Sequence, residues 1–227
     1  MRPLPIISHR GLCRTGPWAR RRGENTLASF AAGLEALEAL GFPPAIEFDV
    51  RRSADGALVV IHDATLRRTA AVRGRVRRHT AAELRDFAVP RLEEVFERFP
   101  GAEFHLELKE RGIARQVRDL IARQGVGDRV IVSSFLWSEL APFDGIRTAF
   151  TTAFPTRRAV RAAAQAQAWA IHPEHRRATV ALVAAAHDTG LKVNAWTVNT
   201  ARAYARMQRL GVDAVFSDNP FLLSGIR

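Results

Sequence analysis

Apolar residues along this chain follow two periods. Short runs such as Ala45 to Val50 (AIEFDV), Arg129 to Ser134 (RVIVSS) and Lys192 to Val198 (KVNAWTV) are rich in β-branched and aromatic residues, the composition of a strand. Between them lie longer stretches, among them ENTLASFAAGLEALEALG and IARQVRDLIARQG, in which apolar residues return every three or four positions and so share one helix face. In chain order PIISH, AIEFDV, AEFHLEL, RVIVSS, RTAFTTA, AWAIHP, KVNAWTV and AVFSD predict eight strands in a βα order, with only the short WSELAPF offered after RVIVSS. Repeated βα units favour parallel strands with helices outside them. Eight such units predict an α/β chain folded as a closed (β/α)8 TIM barrel, a single domain over residues 1–227, in preference to a doubly wound open sheet. Thr156 and Thr200 stand where helix N-caps are needed, and Gly41, Gly125, Gly190 and Gly211 where helices end. The connection from the second strand to the third is the longest. Within it Asp55-Gly56 predicts a turn that folds SADGALVVIHD back, before the helical HTAAELRDF and RLEEVFERF.

Composition narrows this picture. A chain of 227 residues, 47% hydrophobic, suits one substantial core. It lacks an apolar run of the roughly 18 residues needed to span a bilayer, and MRPLPIISHRG lacks the marks of a signal peptide. The expectation is a soluble, cytoplasmic protein without a transmembrane segment; its oligomeric state stays unknown. The single Cys13 excludes an internal disulfide and a multi-thiolate zinc site, and reads as a loop residue. Metal binding would therefore use oxygen and imidazole. A formal charge of +11 would suit phosphate-bearing partners. The Arg residues are dispersed, however, and no nucleic-acid-binding motif accompanies them, so no specific nucleic-acid partner is expected.

Candidate chemistry begins at AIEFDV. Successive strand side chains alternate, so Glu47 and Asp49 share the face opposite Ile46, Phe48 and Val50. Adjacent carboxylates repel, and a buried unpaired ion is costly. A metal ion between them, a solvated edge, or pairing with Arg51 would each relieve the strain. In a barrel, functional residues gather at the carboxyl ends of the strands. His9 ends the first predicted strand, Glu47 and Asp49 the second, with His62 beyond it, and Glu107 the third, with Lys109 two residues on. Ser134, His172, Trp196 and Asp218 end the fourth, sixth, seventh and eighth. Three carboxylates without thiolates suit one hard divalent cation, Mg²⁺ or Ca²⁺. Two imidazoles suit proton transfer near neutrality, and Arg10 and Lys109 supply positive charge for an anion. The set describes hydrolysis of a phosphate ester.

At these residues the chain resembles the glycerophosphodiester phosphodiesterase family. The resemblance lies in SHRG, ENTLASFAAGLEAL, IEFDVRRSADGALVVIHD, LRRT, HLELKE, SSF, NAWTVN and GVDAVFSDNP, in order from about residue 7 to residue 220. It implies metal-dependent hydrolysis of a small-molecule glycerophosphodiester to an alcohol and glycerol 3-phosphate. His9 and His62 would be the acid-base pair, and Glu47, Asp49 and Glu107 the metal ligands. Arg10 and Lys109 would hold the phosphate, and Trp196 would line the wall that receives the alcohol. Glu24 and Asn25 would brace the site, with Asn25 available as an N-cap. Attack by the substrate's own neighbouring hydroxyl, through a cyclic phosphate, and attack by water are both compatible with these residues. Two rival readings remain: the same site acting on a lysophospholipid, glycerophosphoinositol or sugar phosphodiester, and an inactive barrel that binds anionic membrane or nucleic acid. Relative to the family pattern, LCRTGPWARRRG lengthens the loop before ENT and places Trp18, Arg20, Arg21 and Arg22 near the mouth. The segment after RRT is shorter than the pattern. His79, His105, His175 and His187 take no motif role, and His187 reads as structural.

Overall fold

The computed structural model describes residues 3–12 and 23–223. Cys13 and the residues Trp18 and Arg20 to Arg22 lie outside them. The described residues form nine strands: β1 (Ile6–His9), β2 (Ala45–Arg52), β3 (Leu58–Val60), β4 (Glu103–Leu108), β5 (Val130–Ser134), β6 (Arg147–Thr152), β7 (Ala170–Pro173), β8 (Lys192–Ala195) and β9 (Ala214–Ser217). All but β3 run parallel, each beside its neighbour in sequence, and β1 pairs with both β9 and β2, which closes the barrel. The eight barrel strands are the eight that the apolar runs predict. The short β3 is the return arm of a hairpin. Asp55-Gly56 turns the chain there, Gly56 taking the φ of +83° that a side chain would resist, and β3 lies antiparallel on β2 with Val60 opposite Val50.

Among the described residues seven α-helices accompany the strands: α1 (Leu27–Ala39), α2 (Ala81–Arg85), α3 (Leu92–Arg98), α4 (Ala114–Gln124), α5 (Arg157–Gln165), α6 (Val180–His187) and α7 (Ala201–Leu210). Thr156 and Thr200 cap α5 and α7 by accepting the N–H of Ala159 and Ala203, as their positions predict. The cap of α1 is Thr26, not Asn25: Thr26 Oγ1 accepts the N–H of Ser29, whose own hydroxyl accepts the N–H of Thr26. Beyond the β2–β3 hairpin, the α-helix expected after a strand is replaced by a 3₁₀ turn after β5, and a 3₁₀ turn also follows β9 among the described residues. After β5 the chain makes only a 3₁₀ turn, Trp137–Leu140, because Pro142 follows too soon for a longer helix. Trp137 secures that turn by stacking on Phe150 and donating to the Thr151 carbonyl.

Alternation along β2 decides what goes where. Phe48 points outward into the layer under the helices, where Phe30, Phe96 and Phe104 approach it with ring centroids 5.7–6.5 Å apart, the edge and tilted contacts aromatic rings prefer. Glu47 and Asp49 point inward. Register then brings the third carboxylate alongside, since Asp49 pairs with Glu107 of β4.

Candidate active site

Glu47 and Glu107 line a cavity of about 220 Å³ at the carboxyl end of the barrel, and Asp49 is buried beside them. Glu47, Asp49 and Glu107 are all buried, and one oxygen of each lies within 4.8 Å of the others. Two cations face them. Arg10 places Nε 3.1 Å from Asp49 Oδ2 and Nη1 3.2 Å from Glu24 Oε1. Lys109 donates to Glu107 Oε1 at 2.6 Å and stands 3.5 Å from Asp49 Oδ1. Asn25, held at a φ of 57°, donates its amide to Asp49 Oδ2 at 2.8 Å. The sequence thus places Glu24 and Asn25 correctly as braces. Arg10 and Lys109, expected as phosphate holders, line the cavity and are at the same time the counter-ions of the carboxylates.

These neighbours divide the carboxylates. Burial works against the charge of Asp49, but Arg10 and Lys109 outweigh it and hold its carboxyl far below the ordinary range. Burial and the nearby Asp49 charge push Glu47 well up, and burial also raises Glu107. Glu47 Oε2 and Asp49 Oδ1 are buried without a hydrogen-bond partner among the described residues. Unpartnered carboxylate oxygens converging on one point fit a hard divalent cation, which takes oxygen ligands.

Both expected histidines reach the cavity. His9 Nδ1 is engaged by Asp218 Oδ1 at 2.6 Å, leaving Nε2 3.7 Å from Glu47 Oε2. His62 Nδ1 is engaged by Asp63 Oδ1 at 2.6 Å. With Nδ1 donating to a carboxylate in each case, Nε2 is the nitrogen that faces the site. Burial lowers both imidazoles below the ordinary 6.5, against the pull of Asp218 on His9 and of Asp49 on His62. Trp196 forms part of the wall, anchored through Nε1 to the His172 carbonyl at 2.8 Å and set edge-on to Phe135.

The family model that matches this chain is the glycerophosphoryl diester phosphodiesterase family, over residues 9–222. The chain belongs to that family. It is a phosphodiesterase, 31% identical to the glycerophosphodiester phosphodiesterase of Caldanaerobacter subterraneus subsp. tengcongensis across 95% of this chain and 94% of the relative. The glycerophosphodiester phosphodiesterase of Bacillus altitudinis is 30% identical over the same shares. Among solved structures, the glycerophosphodiester phosphodiesterase of Thermotoga maritima superposes with a TM-score of 0.83 at 25% identity, covering both chains in full. A phosphodiesterase of Oleispira antarctica, solved with its product sn-glycerol-3-phosphate, gives 0.81 at 27% identity over 98% of this chain and 96% of its own.

Sequence reasoning passed over a second ring of this phosphodiesterase's site. Arg68 donates to Asp63 Oδ2 at 2.7 Å and to Glu24 Oε1 at 2.6 Å. One guanidinium therefore links the carboxylate behind His62 to the carboxylate behind Arg10. The only signal for it was LRRT, which does not say which Arg turns inward. Asp63 was readable as the neighbour of His62, and Asp218 was placed at its strand end but not as the partner of His9. At the end of β5 the cavity residue is Ser133, not Ser134. Ser133 sits beside Glu107 in register and lines the cavity, whereas Ser134 faces away and donates to the Leu108 carbonyl. His172 lines the cavity floor, and His187 is structural, bound to Asp213 at 2.9 Å.

Proposed function

We propose that this enzyme hydrolyses glycerophosphodiesters to an alcohol and glycerol 3-phosphate, with His9 and His62 as the proton-transfer pair and Glu47, Asp49 and Glu107 as ligands of one divalent cation, Mg²⁺ or Ca²⁺. The observation that carries this reading is the clustering of the three carboxylates, two of them with buried oxygens that lack a hydrogen-bond partner among the described residues, beside a cavity that Glu47, Glu107 and both imidazoles line. The Oleispira phosphodiesterase, alike over nearly its whole length, holds glycerol 3-phosphate as product, which supports the substrate class. When bound, a cation at these carboxylates supplies Lewis-acid stabilisation of the phosphoryl charge.

The chain's own residues do the rest. Arg10 and Lys109 balance part of the carboxylate charge and offer N–H donors to the phosphate oxygens. Asp218 and Asp63 hold His9 and His62 with Nδ1 protonated. One Nε2 accepts the proton of the attacking hydroxyl, and the other, once protonated, delivers a proton to the departing oxygen. Trp196 and Phe135 give the alcohol side an apolar wall. The experiment is release of glycerol 3-phosphate from glycerophosphocholine by the purified protein after chelation, then with Mg²⁺ or Ca²⁺ restored. Turnover that returns with cation supports the reading. Turnover indifferent to chelator removes the cation from it, and turnover confined to a diester without glycerol removes the substrate class.

A further inference from the structure

Five large apolar side chains are exposed among the described residues: Phe135, Phe154, Val180, Phe221 and Leu222. Every one follows the carboxyl end of a barrel strand. Phe135 comes directly after β5, Phe154 two residues after β6, Val180 opens the helix that β7 feeds, and Phe221 and Leu222 lie in the turn after β9. A single exposed apolar residue needs no explanation, but confinement of all five to the rim around the cavity mouth does.

The same rim carries exposed Arg111, Arg157, Arg158, Arg176, Arg177 and Arg202. Acidic residues are there too: Asp55, in the turn after β2, is exposed, whereas on the loops after β4 and beyond none is exposed and each is engaged. Glu110 accepts from Arg51 and from the N–H of Arg52, Glu139 accepts the N–H of Gly112, and Glu174 faces Arg176 and Arg177. From β4 onward the exposed acids, Asp119, Asp128, Asp144 and Asp188, lie on helices or on the loops at the opposite end. Arg177 covers one face of Phe154 at 4.0 Å, while Arg176 stands 82% exposed.

We propose that this rim docks on the surface of a bilayer that contains anionic phospholipid. Apolar side chains ringed by Arg match the boundary between acyl chains and headgroups, where the first bury area and the second meet phosphate. The contact is peripheral, since no helix among the described residues is long and apolar enough to cross a membrane. Two other occupants fit less well. A second copy of the chain would set one Arg-rich rim against another. A nucleic acid would satisfy the Arg residues and stack on Phe, but it leaves Val180 and Leu222 without a role. Docking in this orientation turns the cavity mouth toward the headgroup layer, and it holds whatever diester the site cleaves.

The test is sedimentation of the full chain with vesicles of phosphatidylcholine alone and of phosphatidylcholine with one quarter phosphatidylglycerol. Three proteins are compared: the wild type, a rim variant (Phe154→Ser, Phe221→Ser, Arg158→Gln, Arg176→Gln), and a control that loses the same charge at the far end (Arg123→Gln, Arg209→Gln). Expected is binding to the anionic vesicles only. It should weaken about thirtyfold from the two rim Arg residues alone, and further from the two Phe, while the control weakens far less. Unchanged hydrolysis of a soluble diester by the rim variant shows that it is folded; if the variant is unfolded, the pair Phe154→Ser, Phe221→Ser alone replaces it. No vesicle binding by the wild type overturns the proposal. Equal weakening of rim and control variants does too, since that is diffuse charge attraction. So does self-association lost in the rim variant without vesicle binding, or vesicle binding indifferent to the Phe substitutions and competed away by DNA.

Discussion

His62 shows how little of a working geometry resides in one side chain. Its Nδ1 is held by Asp63, whose carboxyl is itself pinned at about 2 because, against burial, Arg68 and His62 bond to it. Replacing Asp63 with Asn lets an amide N–H meet the imidazole and favours the tautomer with the proton on Nε2, which can no longer accept one. Asp63→Asn is therefore expected to lower kcat by about 10²-fold with little change in KM, and His62→Ala by about 10²–10⁴-fold. Steady-state kinetics on both variants checks this. A KM effect without a kcat effect in Asp63→Asn would make that residue a part of substrate binding instead. At this scale the sequence was legible wherever period decides: alternation along β2 and β4 announced that Glu47, Asp49 and Glu107 look inward. It was silent wherever tertiary approach decides. Arg68 reaches Glu24 because the segment after the β3 hairpin returns over the start of α1, and nothing local in LRRT encodes that.

Elements were read best where their ends carry side-chain chemistry. Thr156 and Thr200 marked helix starts correctly because a hydroxyl that accepts an N–H acts within three residues. The short element after β5 and the return arm β3 were legible for the same local reason, since Pro142 two residues beyond WSEL and the Asp55-Gly56 turn each act within a few residues. The lower end of the barrel offers an element-scale prediction. Asp213, in the loop before β9, accepts the N–H of Val193 at 2.8 Å, His187 Nε2 at 2.9 Å and Lys192 Nζ at 3.0 Å, joining α6, β8 and β9. Burial opposes its charge, but these donors outweigh it and hold the carboxyl below the ordinary 3.8. A depressed carboxyl stabilises the fold above its unfolded value, and that stability fades as pH falls through the folded one. Two of the donors are half exposed, with side chains of 41% and 52% accessibility, so solvent screening keeps the contribution to about 1 kcal/mol. Asp213→Asn should lower Tm at pH 7 and lose that deficit below about pH 3.8. Thermal melts of both proteins across pH measure it, and a deficit independent of pH would assign the loss to packing.

At the scale of the whole molecule, the barrel stabilises a cluster that its own charges oppose. Three carboxylates are packed within 4.8 Å, with Arg10 and Lys109 as the near cations and two oxygens unpartnered. Like charges at this spacing, away from water, repel strongly. The folded chain without a cation therefore carries a local penalty that the surrounding aromatic core offsets, and a cation seated among the carboxylates removes it. Binding to the folded state alone also adds RT ln(1 + [L]/Kd), about 2.7 kcal/mol at one hundred times Kd. Addition of Mg²⁺ or Ca²⁺ to chelated protein should thus raise Tm by several degrees, with a dependence on cation concentration that reports the Kd. Glu47→Gln separates the two effects, because it removes together one ligand and one carboxyl whose ionisation burial and Asp49 oppose. Its Tm without cation should equal or exceed that of the wild type, while its cation-dependent rise shrinks or vanishes. Differential scanning calorimetry with and without chelator reads both numbers on the same samples. A Glu47→Gln protein that is less stable without cation, yet shows the full cation-dependent rise, would move Glu47 out of the ligand set and into the structural frame of β2.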